Sequence, residues 1–363
     1  MKSTGRMPVL PGMKEILQVQ GLEVTYSTPQ GELKAVDGVD LSLREGEAIG
    51  LVGESGCGKS TLGKSLLGIL PPDTKMEGEI WLDGTSMTGL MNSARGRIGK
   101  APTAPITNHQ LQITEDVWRN VRGEKVSLIF QDPMTRLNPL MRIEDHFVEL
   151  LLSHSERRGQ TWHHGATPTG MTKEEAREIA LEELERMGIP RRRAKHYPHE
   201  FSGGMRQRIM IALTTVLKPK LLIADEPTTS LDVIVEAQIL GILKELKSQG
   251  MTLLLITHNL ALVAETCDRV SVMYGGKIVE SAPTRPLFEN PLHPYTQGLL
   301  QSTIHLGTKS LTSISGSPPD LLHPPTGCRF HPRCPVRKEV CDREDPKGVR
   351  HSEEREVKCV LYP

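Results

Sequence analysis
The sequence predicts an α/β protein: a parallel-sheet core, an antiparallel subdomain beside it, an inserted helical subdomain, and a small cysteine-rich C-terminal domain. Three observations carry that expectation. Short apolar runs alternate with longer helical patterns, a long central stretch is mostly helical, and proline and cysteine gather towards the end. The alternation runs from Glu47–Val52 to Ser60–Leu70, from Lys220–Ala224 to Val233–Gln249, and from Met251–Ile256 to Leu260–Cys267. Near-continuous apolar strands of this kind belong to a parallel sheet buried between helices.

Ahead of that pattern, Leu17–Tyr26 and Leu33–Leu43 alternate apolar and polar residues around a Pro29-Gln30-Gly31 turn, which predicts an antiparallel pair. The helical subdomain is expected over residues 132–218. Within it, Thr172 followed by Glu175 forms a capping box that should start a helix reaching about Met187 and ending at Gly188-Ile189-Pro190. Residues 92–107 and 153–170 are rich in Gly, Pro, Thr and His and read as surface insertions. Prolines become frequent from Pro283 onward, so a first domain is expected over 1–285 and a second, loop-rich one over 286–363. A chain of 363 residues suits one large domain with an appendage.

Composition excludes several classes. The 44 Lys+Arg are balanced by 44 Asp+Glu, which leaves no basic excess to neutralise nucleic-acid phosphates. No apolar run approaches the roughly 18–20 residues that cross a bilayer. Met1–Gly12 lacks the apolar segment of a secretory signal, so a cytosolic protein is expected. In that compartment six cysteines are more often free, metal-bound or redox-active than paired. Cys57 and Cys267 stand alone, whereas Cys328, Cys334, Cys341 and Cys359 crowd the tail.

Gly53-Glu54-Ser55-Gly56-Cys57-Gly58-Lys59-Ser60-Thr61 matches the phosphate-binding loop G-x-x-x-x-G-K-[ST], set between a strand and a helix. Its glycines let backbone N–H groups fold around a phosphate, the helix N-terminus adds its positive end, and Lys59 supplies a mobile cation. Ser60 should place its hydroxyl on Mg²⁺. Lys220–Ala224 leads into Asp225 and Glu226, two carboxylates at a strand end where α/β proteins gather ligands. Asp225 should orient the Mg²⁺ shell, and Glu226 should polarise the water that attacks the γ-phosphorus.

The order of motifs resembles the ATP-binding-cassette (ABC) ATPases. After the phosphate loop come Phe130-Gln131-Asp132-Pro133, similar to the glutamine loop, and Phe201-Ser202-Gly203-Gly204-Met205-Arg206-Gln207, similar to the signature motif. The two carboxylates, Thr229-Ser230-Leu231-Asp232 at the place of the D-loop, and Ile256-Thr257-His258-Asn259 at the place of the switch histidine complete the order. The resemblance implies that Gln131 touches Mg²⁺ and senses the membrane partner. It implies that Ser202, Gly203, Gly204 and Met205 bind the γ-phosphate held by a facing subunit, that His258 hydrogen-bonds that phosphate, and that Tyr26 stacks on adenine. Met205 stands where the family often has Gln, and Asn259 where an acid is more usual; neither change removes a catalytic group.

In the tail, Asn290-Pro291-Leu292-His293-Pro294-Tyr295-Thr296 and Gly327-Cys328-Arg329-Phe330-His331-Pro332-Arg333-Cys334-Pro335 resemble the ATPases of dipeptide and oligopeptide importers. Related importers of nickel or other small solutes carry similar tails. The resemblance implies a second homologous ATPase as heterodimer partner, two membrane-spanning permeases, an extracytoplasmic substrate-binding protein, and a peripheral place on the cytoplasmic face of the inner membrane. Four soft thiolates can hold zinc or an iron–sulfur cluster. Gaps of 5, 6 and 17 residues between the tail cysteines are wider than zinc knuckles. With the resemblance, they favour a structural [4Fe-4S] cluster on Cys328, Cys334, Cys341 and Cys359 over Zn²⁺ or free thiols. A chromosome-maintenance ATPase would need a long coiled coil that the sequence lacks. A soluble translation-type ATPase would usually carry two cassettes and a basic surface. A regulatory subunit would be expected to lack Lys59, Glu226 or His258.

Overall fold
The protein is described from a computed structural model covering residues 14–88, 118, 121–132, 136–155, 170–229, 231–302, 313–352 and 354–362. In chain order its first half holds β1 (Glu15–Thr28), β2 (Gly31–Arg44), β3 (Ala48–Val52), α1 (Lys59–Leu66), β4 (Lys75–Leu82), β5 (Thr85–Ser86), β6 (Val126–Ile129), α2 (Ile143–Ser155) and α3 (Lys173–Arg186). Next come α4 (Gly203–Thr215), β7 (Leu221–Asp225), α5 (Val233–Ser248), β8 (Thr252–Thr257), α6 (Leu260–Thr266), β9 (Arg269–Tyr274) and β10 (Lys277–Pro283). The tail adds α7 (Thr284–Glu289), α8 (Pro294–Gln301), β11 (Val349–Ser352) and β12 (Arg355–Val357). The chain divides into two compact units, residues 1–118 with 252–363, and residues 119–251.

In the first unit β2, β1, β4 and β5 form an antiparallel sheet in that order. The expected pair is present and longer at both ends, closed by a two-residue turn with Thr28 opposite Gly31. A second sheet runs β11-β12-β10-β9-β3-β8. Its centre is parallel: Val52 pairs with Thr257 on β8 and with Val272 on β9. All five residues of β3 and all six of β8 are buried, which is why these segments read as unbroken apolar runs.

Residues 286–363, expected to form a small domain of their own, lie in this same unit. The reason is main-chain pairing: β12 joins β10 antiparallel through Glu280–Val357 and Ser281–Glu356, and β11 pairs with β12. Buried Glu280 adds a second tie, since its carboxylate accepts from the N–H of Leu292 and His293 and from Arg355.

In the second unit β6 and β7 are parallel and wholly buried, with Ile129 opposite Ala224. The helices α2, α3, α4 and α5 carry most of the rest; α2, α3 and α4 fall within residues 132–218, and α5 lies beyond them. The capping box is present: Glu175 N–H donates to Thr172 Oγ1 at 3.2 Å, and Thr172 N–H donates to the Glu175 carboxylate at 2.7 Å. The helix then stops at Met187, followed by Gly188 at φ 73°. Residues 92–107 lie outside the described residues. Of 153–170, expected as a loop, Ser153–Ser155 finish α2, and 156–169 lie outside the described residues.

Candidate functional site
In each unit several candidate residues stand at the carboxyl ends of parallel strands. In the first, Gly53 follows β3 and His258 follows β8, whose last residues are paired neighbours. The loop between Gly53 and Lys59 turns back into α1 because Gly58 adopts φ 106°, and a Cβ there would stand 2.1 Å from the Ala35 carbonyl oxygen. No other residue type fits that position.

Lys59 is buried, and its ammonium donates to the carbonyls of Gly53 at 2.8 Å and Glu54 at 3.0 Å. The cation is thus held within the loop by neutral acceptors. Cys57 lies 3.8 Å from the Lys59 nitrogen, yet burial outweighs that cation and pushes the thiol up. Ser55 and Gly56 are exposed at the tip. Ser60 and Thr61 open α1, and the Tyr26 hydroxyl donates to Thr61 Oγ1 at 3.2 Å, which seats the ring beside the loop. His258 is exposed. The unusual Asn259 has a local reason: its side chain caps α6 by accepting from the N–H of Ala261 and Leu262.

In the second unit Gln131 lies just beyond β6, and Asp225 and Glu226 close the neighbouring β7, so all three share one edge. Asp225 is buried. Glu226 is held in the left-handed region at φ 49°, costly for a non-glycine residue, and its carboxylate accepts from Thr229 Oγ1 at 3.0 Å. Ser202 caps α4 by accepting from Met205 N–H, with Gly203 and Gly204 forming the first turn. Asp232 caps α5 in the same way through Val235 N–H at 2.9 Å.

Two kinds of site residue were not foreseen. Buried Gln207, within the signature stretch, donates to the Pro227 carbonyl at 2.9 Å and ties α4 to the segment after Glu226. Tyr295 and Arg333, far along the chain, both contact Glu54. The tail motif contains both residues, but nothing in its spacing points to the phosphate loop.

The tail cysteines are all free thiols, and all four line one cavity together with His293. Burial, reinforced by the neighbouring thiols, pushes Cys328 up to about 11. His293 accepts the Tyr295 N–H on Nδ1, its basicity pulled down to about 3 by burial, while its buried Nε2 has no hydrogen-bond partner. Among the described residues no three His, Cys, Asp or Glu side chains converge to hold one metal ion. The described thiols therefore show no assembled site either for the Zn²⁺ or for the [4Fe-4S] cluster expected from the sequence.

A glycine-rich loop after a parallel strand, a lysine enclosed by it and carboxylates ending a buried strand define a nucleotide-binding ATPase cassette. Residues 36–229 match the ABC transporter family, and residues 279–341 match the oligopeptide/dipeptide transporter C-terminal region. The chain is 41% identical over 356 residues to the dipeptide transport ATP-binding protein DppD of Bacillus subtilis, covering 96% of this chain and 95% of the relative. It is 43% identical to the oligopeptide transport ATP-binding protein OppD of Escherichia coli, covering 91% and 89%. A solved dimeric ATP-binding cassette in a post-hydrolysis state, bound to ADP and Pi, superimposes with a TM-score of 0.55 at 25% identity, covering 74% of this chain and 99% of that one. The chain belongs to the ABC transporter family and is an ATP-hydrolysing enzyme whose ligand is ATP with Mg²⁺. Among the described residues no helix is long and apolar enough to cross a membrane.

Proposed function
We propose that this chain is the ATPase subunit of an importer of dipeptides or oligopeptides. The observation that carries the proposal is likeness over nearly the whole chain, tail region included, to dipeptide and oligopeptide transport proteins. Residues 1–285 form the ATPase region and 286–363 the importer-type tail. The subunit works at the cytoplasmic face of the inner membrane with a second homologous ATPase, two permeases and an extracytoplasmic binding protein.

Gly53 to Thr61 wrap the phosphates, and Lys59 leaves its carbonyl partners for the more strongly charged β- and γ-oxygens. Ser60, Gln131 and Asp225 offer hydroxyl, amide and carboxylate oxygens, a donor set suited to Mg²⁺. Bound Mg²⁺ neutralises charge on the phosphates. Glu226 accepts the proton of the attacking water, His258 donates a hydrogen bond to the γ-phosphate, and Tyr26 faces adenine. Ser202, Gly203, Gly204 and Met205 supply the γ-phosphate contacts of a facing subunit, with Ser202 and the first N–H groups of α4 as donors. In the tail, Cys328, Cys334, Cys341 and Cys359 would be the ligands of a [4Fe-4S] cluster, which would supply a structural staple for a proline-rich segment.

The test is Mg-ATP binding and turnover of the purified chain, then turnover with permeases, partner ATPase and binding protein. Glu226→Gln should bind Mg-ATP and lose turnover, Lys59→Ala should lose binding, and peptide-loaded binding protein should raise turnover of the full assembly. Parent-rate hydrolysis by Glu226→Gln would refute its role, and stimulation by nickel but not by peptides would refute the cargo.

A further inference from the structure
The phosphate loop is held from behind by the C-terminal region. Glu54 donates its N–H to the Tyr295 hydroxyl at 2.9 Å, and its carboxylate takes Arg333 in a two-pronged contact at 2.7 and 3.0 Å. The Arg333 side chain is 6% exposed and that of Glu54 24%, so the guanidinium end of the pair is largely enclosed while the carboxylate stays partly open to solvent. Arg333 is itself fixed, donating to the Ser315 carbonyl at 2.9 Å and the Tyr274 hydroxyl at 3.3 Å. Tyr295 is fully buried against Tyr274 and Phe330, with ring centroids 4.5 and 5.4 Å away.

The far end of the loop is anchored by a parallel route. The Cys57 carbonyl accepts the Gly276 N–H at 2.9 Å, and adjacent Gly275 offers its carbonyl to Arg329. Arg329 also pairs with Asp37 at 2.6 Å. Arg329, Phe330 and Arg333 all lie between Cys328 and Cys334, so one short segment grips both ends of the loop.

We propose that Tyr295 and Arg333 are positioning residues of the nucleotide site: by fixing Glu54 they hold the loop in its phosphate-binding shape, and they couple ATP affinity to the fold of the cysteine-bearing segment. The inference rests on the reading of Gly53–Thr61 as the ATP loop. A glycine-rich loop is otherwise free to sample many shapes, and ordering it in advance appears as affinity. Such coupling is reciprocal, so ATP must steady the tail as much as the tail steadies the loop.

The test uses the full chain, a fluorescent ATP analogue with Mg²⁺, and thermal unfolding of every variant. Glu54→Gln, Tyr295→Phe and Arg333→Ala should each weaken binding by about five- to tenfold, within the span usual for coupled sites. The double variant Glu54→Gln/Arg333→Ala should be no weaker than the worse single, and Arg333→Lys should recover part of the loss. In hydrogen exchange, Mg-ATP should protect residues 328–334 of the parent and fail to do so in Glu54→Gln. Should Arg333→Ala not fold, Glu54→Gln and Tyr295→Phe decide, because neither removes the guanidinium or the aromatic packing. Affinity within about twofold of the parent in both, or fully additive losses in the double variant, overturns the clamp. A parent that does not bind the analogue overturns the reading of the loop itself.

Discussion

Gly203 and Gly204 open the same helix, and replacing each by alanine should have opposite effects. At Gly203 an added Cβ meets nothing within 4 Å, whereas at Gly204 it would stand 2.4 and 3.0 Å from the two Val235 methyls. Alanine gains about 1 kcal/mol over glycine in a helix, an upper bound for a first-turn position. Gly203→Ala should therefore be neutral or stabilising by up to that amount. Gly204→Ala gains the same but must move α4 from α5 or push Val235 out of its favoured rotamer, and a β-branched residue in a helix has almost no alternative. Overpacking of this kind costs about 1–3 kcal/mol, and a contact as short as 2.4 Å points to the upper part, leaving a net loss of about 1–2 kcal/mol. Urea unfolding followed by circular dichroism measures both variants. Val235→Ala removes the offending methyls, so Gly204→Ala in that background should lie within about 0.5 kcal/mol of Val235→Ala alone. If Gly204→Ala proves as stable as Gly203→Ala, the steric argument is wrong.

Three further expectations follow from the capping, charge and thiol contacts. Asn259→Ala should cost about 1 kcal/mol in urea unfolding through loss of the α6 cap, while Asn259→Asp should be near neutral because either side chain accepts the same N–H groups. Burial alone would raise the Asp37 carboxyl, but Lys34, Arg329 and Lys277 outweigh it and hold the group below its ordinary 3.8. A depressed folded-state value means stability present above pH 3.8 and lost as pH falls through the folded value, so Asp37→Asn should flatten the acid limb of a pH-dependent melting series. Anaerobically purified protein should carry iron and acid-labile sulfide, and Cys334→Ser should lose both and lower the melting temperature; stoichiometric zinc without sulfide would refute the cluster.

Most of the core was legible because its residues obey simple periodicities. The apolar runs over 47–52, 220–224 and 251–256 appear as β3, β7 and β8 within a residue at each end, and Thr172 with Glu175 marks the start of α3. Gly53, Gln131, Asp225, His258 and Ser202 could be placed from sequence for a related reason, since each follows or ends a strand or starts a helix that sequence can locate. The tail was not. Val349–Ser352 and Arg355–Val357 carry no sustained alternation, and they are strands because the edge of β10 offers them partners. Arg333 and Glu54 are 279 positions apart, and no local rule connects them. Asn259, which departs from the usual acid, is explained by the cap it makes rather than by the nucleotide.

The central position of β3 also sets when the protein can fold during its own synthesis. Ala48 pairs with Leu253 and Ile49 with Arg269, so the strand that carries the phosphate loop leaves the ribosome about 200 residues before either neighbour. At translation speeds of about 5–20 residues per second, that is a wait of roughly 10–40 s. Throughout it, Ala48-Ile49-Gly50-Leu51-Val52, fully buried in the finished protein, has neither of its sheet partners to cover it. The nascent chain therefore presents an unpaired apolar strand ahead of a loop that cannot yet take its shape. A chaperone that holds such strands should be needed most before residue 253 emerges, and a ribosome stalled short of that point should display a chain that does not retain ATP.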